Sequence, residues 1–231
     1  MKVFSTIAEL DAAVVDCRAC PRLVAWREEV AVTKRAAFAG QTYWGRPVPG
    51  FGPVDASMAI VGLAPSAHGA NRTGRMFTGD PSGDVLFRAL HEVGLASQPT
   101  STHQGDGLEL RGVRMVAPVR CAPPANKPAP DERHNCGAWL SAELSLLAPT
   151  LRSIVVLGAF GWQALLPVLA EVGWPVPSPR PKFGHGVEAD VGELRLFGCY
   201  HVSQRNVQTR LLTHSMVCDV LSSAAARAGL F

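Results

Sequence analysis

Short apolar runs that alternate with helical patterns are the feature that most limits how this chain can fold. The β-branched runs are bounded by Gly or Pro and predict buried strands at 58–63, 113–119, 153–157 and 194–200. Helical spacing of apolar residues follows at 83–94, 132–148, 159–170 and 209–228. This alternation predicts a three-layer α/β/α sandwich around a mainly parallel central sheet, with ligands beyond the carboxyl ends of the strands.

Stretches rich in Gly and Pro separate these elements. Because Pro supplies no donor and Gly takes unusual backbone angles, we expect long ordered loops at 43–53, 122–130 and 174–186. Residues 97–107 resemble a surface loop. A chain of 231 residues, 47% of them hydrophobic, can bury a full core, and we expect a single domain over residues 1–231.

Charge and hydropathy narrow the function classes only slightly. The net charge of +3 is compatible with a phosphate-bearing partner but is also common elsewhere. The sequence has no apolar run of about 18 residues for a bilayer span, and its first residues carry acidic groups where a signal peptide would be apolar. We therefore expect a cytoplasmic protein without a membrane partner.

The six cysteines are more informative by spacing than by number. Cys17 and Cys20 form a C-x2-C pair, and Cys121 and Cys136 form a second pair across a Pro-rich loop. Without a secretion signal, such pairs favour metal or redox use over disulfides. Four thiolates suit either tetrahedral zinc or an iron–sulfur cluster, and the ligand count does not separate these. The remaining pair is expected to be small buried residues, Cys199 and Cys218.

The segment after the first predicted strand, GLAPSAHGANRTGRMFTGD at 62–80, has the composition of a binding loop. Gly and small residues let a ligand approach the backbone, whose N–H groups bind oxygens or phosphates. Polar, cationic and aromatic side chains then converge on the expected binding edge of the sheet. They are His68, Asn71, Arg72, Arg75, Phe77 and Asp80.

This segment and three others closely resemble the iron–sulfur-containing family 5 (type b) uracil-DNA glycosylases. The other three are YWGRPVPGFGP at 43–53, RCAPPANKP at 120–128 and HVSQRNVQTRLL at 201–212, with the four paired cysteines in the same order. The resemblance covers nearly the whole chain. It implies a repair enzyme that hydrolyses the N-glycosidic bond of uracil in DNA, leaves an abasic site and starts base excision repair. It also implies a wider range that includes hypoxanthine and xanthine.

The resemblance further implies the residues that bind the base. His201 would hydrogen-bond the departing base, Phe77 would stack on the flipped-out base, and Asn126 would read its edge with an amide that both donates and accepts. The implied base-binding set is Gly62, Leu63, Ala64, Phe77, Asn126 and His201.

The group that activates water is left open by the sequence. Better-known relatives carry a polar or acidic residue just after the first glycine of the motif, where this chain has Leu63 and Ala64. Asp80 is one candidate, although it equally suits the N-cap of a helix that begins near Ser82. Asn71 aligns with an acidic residue of a sister family and can orient water, and His68 is a third candidate.

The DNA-binding residues implied by the resemblance follow His201 and include cations able to reach phosphates, although each cation alone also fits an ordinary surface charge. They are Ser203, Arg205, Asn206, Gln208 and Arg210, with Arg72, Arg75 and Lys127 as further backbone contacts. The expected partner is double-stranded DNA, with single strands left open, bound by a monomer at the nucleoid.

A 4Fe-4S cluster on Cys17, Cys20, Cys121 and Cys136 is the cofactor that the resemblance implies, and it would pin the N-terminal segment to the 121–136 loop. Two other functions compete with the glycosylase. One is an inactive or weakly active iron–sulfur module that binds nucleic acid, favoured by the apolar Leu63 and Ala64. The other is a zinc-stabilised α/β enzyme that acts on free nucleotides.

Overall fold

A five-stranded sheet forms the centre of the computed structural model, which describes residues 3–231. The strands pair in the order β2-β1-β3-β5-β4. All pairs are parallel except β4 with β5, so β4 is an antiparallel edge strand. The strands are β1 (Met58–Val61), β2 (Val113–Val116), β3 (Ser153–Leu157), β4 (Glu188–Val191) and β5 (Leu194–Cys199). The four predicted strands are confirmed, β3 with the predicted ends and β1, β2 and β5 with earlier C-terminal ends, whereas the sequence did not predict β4.

Helices connect the strands and cover both faces of the sheet. They are α1 (Ile7–Val14), α2 (Pro21–Thr33), α3 (Ala70–Thr73), α4 (Pro81–Glu92), α5 (Pro130–Leu147), α6 (Ala159–Val172), α7 (Gln204–Gln208) and α8 (His214–Arg227). The predicted helix over 209–228 is wrong in its first turn, because Arg210 has a left-handed φ of 57° and α8 begins only after its N-cap Thr213. Among the described residues, every helix falls short of a bilayer span in length or in apolar character.

Alternate residues of each central strand face opposite layers, which confirms the predicted sandwich. Met58 and Ile60 of β1 join the core that contains α4 and α8. Ala59 and Val61 join the core built by α1, α5 and α6. Because successive side chains of a strand point to opposite faces, a strand with an apolar run through its whole length must be covered on both sides.

A buried carboxylate connects the sheet to the loop that follows it. Glu143 on α5 accepts from Arg114 of β2 at 2.5 Å and from Arg120, and all three side chains are buried. Arg114 also reaches Asp11 of α1 at 2.8 Å. Burial raises the pKa of Glu143, but Arg120 and Arg114 outweigh it and hold the pKa below its usual range. The carboxylate is therefore charged and paired in the folded protein.

We predict that Glu143→Gln lowers the free energy of unfolding by about 3–5 kcal/mol, because two buried guanidinium groups lose their counter-charge. Urea denaturation at neutral pH measures this. Glu188→Gln is the matched control, since Glu188 pairs with Arg195 in solvent and should change stability by less than about 1 kcal/mol. Equal effects of the two substitutions would contradict the prediction.

Candidate active site

A cavity of about 290 Å³ opens at the carboxyl edge of the parallel strands. Gly62 begins the loop after β1, Ala117 follows β2 directly, and His201 is the second residue after β5. Parallel strands end at the same edge, so loops that are far apart in the sequence meet there. The cavity is lined mainly by apolar groups with a few polar ones, the usual character of a small-molecule site.

All six residues predicted to bind the base line this cavity, together with two other predicted residues. They are Gly62, Leu63, Ala64, Phe77, Asn126 and His201, joined by Asp80 and Ser203. Leu63 and Ala64 thus contribute an apolar part of the cavity wall. What each lining residue does chemically remains a prediction.

Two residues of the wall are held in left-handed backbone conformations. Phe77 has φ 52° and Asn126 has φ 55°. A Cβ on Gly62 would lie 2.6 Å from the Phe77 ring, and one on Gly83 would lie 1.8 Å from the Phe77 carbonyl oxygen. Both glycines are therefore needed to place the ring against the cavity. Such backbone strain in non-glycine residues is concentrated at functional sites.

Asp80 uses its two carboxylate oxygens differently. Oδ1 accepts from the backbone N–H groups of Ser82 and Gly83, each at 3.0 Å, and so caps α4. Oδ2 accepts from the Ser66 hydroxyl beside the cavity. The capping interpretation is therefore confirmed, and the second oxygen remains available for the role in water activation. Ser66 was missed in the sequence, where a serine in a Gly-rich loop carries no distinguishing signal.

His201 is positioned through its backbone, and its ring faces the cavity. The Asn206 side-chain amide donates to the His201 carbonyl at 2.8 Å. Within residues 3–231 the His201 ring nitrogens make no hydrogen bond. Burial lowers the pKa of His201 from 6.5, and the nearby Asp80 carboxylate offsets this only in part. The imidazole is therefore neutral at pH 7, with one N–H to donate.

Two of the three candidates for water activation are placed elsewhere. Asn71 is fully buried outside the cavity and donates to the Arg27 carbonyl at 3.2 Å, so its prediction as a catalytic residue is corrected. His68 bonds the Tyr43 hydroxyl through Nδ1 at 3.0 Å, also outside the cavity. Asp80 is the candidate that lines the cavity.

The prediction that Arg72 and Arg75 contact DNA is also corrected. Arg72 donates to the His68 and Gly79 carbonyls and to Gln41, and it is nearly buried. Arg75 makes a bidentate pair with Asp106 at 2.7–2.8 Å and is 6% exposed. Guanidinium groups that are buried and paired inside the protein are not available to phosphates.

The segment 201–212 presents mixed polar and apolar groups to solvent. Ser203 caps α7, and the Asn206 carbonyl accepts from Leu212 N–H, so both residues also shape the segment itself. The exposed cations and amide predicted to reach DNA are Arg205, Gln208 and Arg210, and Lys127 is exposed on the neighbouring loop. Val207 and Leu211 are exposed beside them, Leu211 by 50%, which the sequence analysis did not note.

The four paired cysteines come together around Arg27. Cys17, Cys20, Cys121 and Cys136 line one small cavity, and the buried Arg27 donates to the Cys121 sulfur at 2.9 Å. Burial raises the pKa of Cys121 to about 11 and that of Cys136 to about 12, with Arg27 and Arg120 respectively opposing it. Ala64 packs beside the hydrophobic group that contains Cys121 and Cys136, and it also lines the cavity at the carboxyl edge of the sheet. The two cavities are therefore neighbours.

The other two cysteines differ from each other. Cys199 is buried in β5, as predicted. Cys218 is partly buried and packs against the core that contains α4 and α8, so its prediction holds in part, and its sulfur lies 3.5 Å from Nε2 of His214.

Fold and cavity together describe an α/β protein that takes a compact ligand at the carboxyl edge of its sheet. The model of the uracil DNA glycosylase superfamily matches residues 49–224. The type-5 uracil-DNA glycosylase of Mycobacterium tuberculosis is 54% identical over 226 residues, which are 97% of this chain and 83% of that protein. The type-5 uracil-DNA glycosylase of Thermus thermophilus is 52% identical over 93% of this chain and 94% of that protein. The one of Pyrobaculum aerophilum is 43% identical over 94% of this chain and 91% of that protein. The chain belongs to the uracil-DNA glycosylase superfamily, and within it to the type-5 branch.

The lowered pKa of His201 predicts a pH-dependent contribution to stability. Below pH 6.5 the unfolded chain binds a proton at this residue that the folded protein resists, so the free energy of unfolding falls as the pH drops. Urea denaturation of the wild type and His201→Gln between about pH 7.5 and 5.5 tests this. The difference in unfolding free energy, wild type minus variant, should decrease toward low pH, and a constant difference would count against it.

Proposed function

We propose that this protein hydrolyses the N-glycosidic bond of uracil in DNA and leaves an abasic site, which starts base excision repair. The observation that carries the proposal is that Phe77 and Asp80 of the loop after β1, Asn126 after β2 and His201 after β5 line one cavity. A binding module would need only the aromatic and amide groups. Hypoxanthine and xanthine are proposed as further substrates.

The base leaves as an anion, and His201 is the proposed group that stabilises it. Bond cleavage puts negative charge on a base oxygen, and a neutral imidazole N–H aimed into the cavity can donate to that oxygen. Because the ring makes no hydrogen bond within the described residues, no protein contact has to be broken first. Phe77 stacks on the base, and the exposed amide of Asn126 pairs with its edge.

Water attacks the opposite side of the sugar, and Asp80 is the proposed group that orients it. Capping of α4 fixes Oδ1, so Oδ2 is held in place with Ser66 at the cavity wall. A fixed carboxylate can orient water, accept its proton and stabilise positive charge that develops on the sugar. Asp80 would therefore supply the polar group for water activation that the apolar Leu63 and Ala64 cannot supply.

DNA is the proposed macromolecular partner, and the exposed residues of segment 201–212 are its proposed contacts. Arg205 and Arg210 reach phosphates without reading sequence. The exposed Leu211 beside them suits an apolar wedge that enters the space of an extruded nucleotide. We propose a monomer that binds one face of a duplex at the nucleoid, and single-stranded DNA is a second substrate form to be tested.

A 4Fe-4S cluster is the proposed occupant of the four-cysteine cavity, and the chemistry of its surroundings fits that group. Nε of Arg27, and Nε and Nη1 of Arg120, are buried without hydrogen-bond partners beside these cysteines. A centre with four thiolates carries net negative charge and additional sulfur acceptors, which would satisfy such cations.

Zinc fits the same four cysteines less well. No three of the four sulfur atoms, all among the described residues, lie within 4.8 Å of one another. A tetrahedral zinc with Zn–S bonds of about 2.3 Å holds its sulfurs about 3.8 Å apart. Hydrolysis moves no electrons, so the cluster when bound supplies a cross-link rather than redox chemistry. It would join α2 to α5, whose first turns also meet through Arg22 and Glu132 at 2.7 Å.

We predict that His201→Ala lowers the rate of uracil release about 100- to 1,000-fold, because one donor to the leaving base is lost. The assay is cleavage of a labelled duplex with one deoxyuridine, followed by alkali to break abasic sites. His103→Ala, at an exposed histidine, is the control and should retain full activity. If the cluster-loaded wild type cleaves no duplex that contains uracil, hypoxanthine or xanthine, the result would instead favour the nucleic-acid-binding module.

The two functions of Asp80 can be separated by two substitutions. Asn caps helices as well as Asp does, so Asp80→Asn should keep the stability of the wild type while lowering the rate about 100- to 10,000-fold. Asp80→Ala should lose a similar factor in rate and also about 1 kcal/mol of stability. Single-turnover cleavage and urea denaturation provide the two measurements. Full activity of Asp80→Asn would remove Asp80 from water activation.

Loss of one cluster ligand should affect stability before chemistry. We predict that Cys17→Ser lowers iron content, visible absorption and thermal stability, and that activity falls only as the folded fraction falls. Cys218→Ser is the matched control and should keep its iron. Normal stability with a selective loss of chemistry would contradict the structural role.

A further inference from the structure

A second group of metal-ligating side chains lies far from the cavity, where α4 ends and α8 begins. Glu92 is the last residue of α4, His214 is the first of α8, and Cys218 follows one turn later on the same face. Nε2 of His214 lies 2.7 Å from the Glu92 carboxylate and 3.5 Å from the Cys218 sulfur. These three ligand atoms lie within 4.8 Å of one another, which holds for no other such group in residues 3–231.

The Glu92 carboxylate and the Cys218 sulfur both lie beside Nε2 of His214, and the thiol also hydrogen-bonds the carboxylate. The three groups are therefore in mutual contact and share one Nε2 proton and one thiol proton. A nucleophile activated by histidine has a different arrangement, with the thiol or hydroxyl at one ring nitrogen and the carboxylate at the other. Three ligand atoms within 4.8 Å of one another, on two helix ends and beside solvent, are instead close enough to share one metal ion.

We propose that Glu92, His214 and Cys218 bind one Zn²⁺ ion at the protein surface. Thiolate, imidazole nitrogen and carboxylate oxygen are all common zinc ligands, and the thiolate disfavours Mg²⁺ and Ca²⁺. On binding, the thiol proton passes to solvent and a sulfur–zinc bond forms, while Nε2 of His214 binds as the unprotonated nitrogen of the tautomer that carries its proton on Nδ1. Glu92 is 61% exposed on its side chain, so the fourth coordination position faces solvent and takes water.

The site would fasten the end of the proposed DNA-binding segment to the neighbouring helix. Leu212 is buried, Thr213 caps α8, and His214 follows directly. Asp80 is at the other end of α4, about 18 Å away for a helix of twelve residues. The ion would therefore act on the stability of this junction and would leave the chemistry in the cavity unchanged. This proposal is independent of the glycosylase activity.

The experiment uses the folded protein with its four-cysteine site loaded and two probes, Zn²⁺ and Co²⁺. Zinc titrated by calorimetry should bind with one equivalent per chain and raise the thermal midpoint. Cobalt should give the near-ultraviolet band of a thiolate-bound ion. Cys218→Ser should abolish that band, and Cys218→Ser and His214→Gln should each weaken zinc binding by at least about 10- to 100-fold.

Matched controls separate this site from other thiols and histidines. His103→Ala should bind zinc like the wild type. Cys218→Ser and His214→Gln should keep the iron content and the uracil-release activity of the wild type. These two readouts show that the variants are folded. Saturable zinc binding that persists unchanged in Cys218→Ser, or no saturable binding by the wild type, would overturn the proposal.

Discussion

Parallel pairing of the four central strands is the constraint on which the rest of this structure depends. Most residues of these strands are apolar and buried, so the sheet must have helices on both faces. The loops after β1, β2 and β5 then leave the sheet at one edge. Phe77, Asp80 and His201 meet there because the sheet brings these loops together.

Packing inside the site assigns several side chains more than one task. One oxygen of Asp80 begins α4 while the other borders the cavity, and Gly62 and Gly83 leave space for a Phe77 held in a strained conformation. Ala64 is shared with the hydrophobic shell of the four cysteines. The four cysteines are therefore next to the cavity and share part of its wall.

Buried charge organises the connections between layers. Glu143 joins β2 to the loop that carries Cys121. Arg27 donates to the Cys121 sulfur through its guanidinium and accepts from the Asn71 amide through its backbone carbonyl. Pairs of this kind add little net stability when complete, but they are costly to break because a buried charge is left uncompensated. They fix which loop conformations are compatible with the fold. The Glu92, His214 and Cys218 group has the opposite character, since it is near solvent and open to a ligand.

The sequence by itself determined the central strands and the cysteine pairs, because these follow from local periodicity and spacing. The family resemblance of contiguous motifs selected the residues that line the cavity, and their role in base binding stays a prediction. Only the tertiary structure decided how individual polar side chains are used. Arg75 reads locally as a surface cation, yet its partner Asp106 is 31 positions away. Asn71, Ser66 and β4 likewise depend on distant neighbours. Burial and pairing are properties of the packed chain, and local sequence patterns do not contain them.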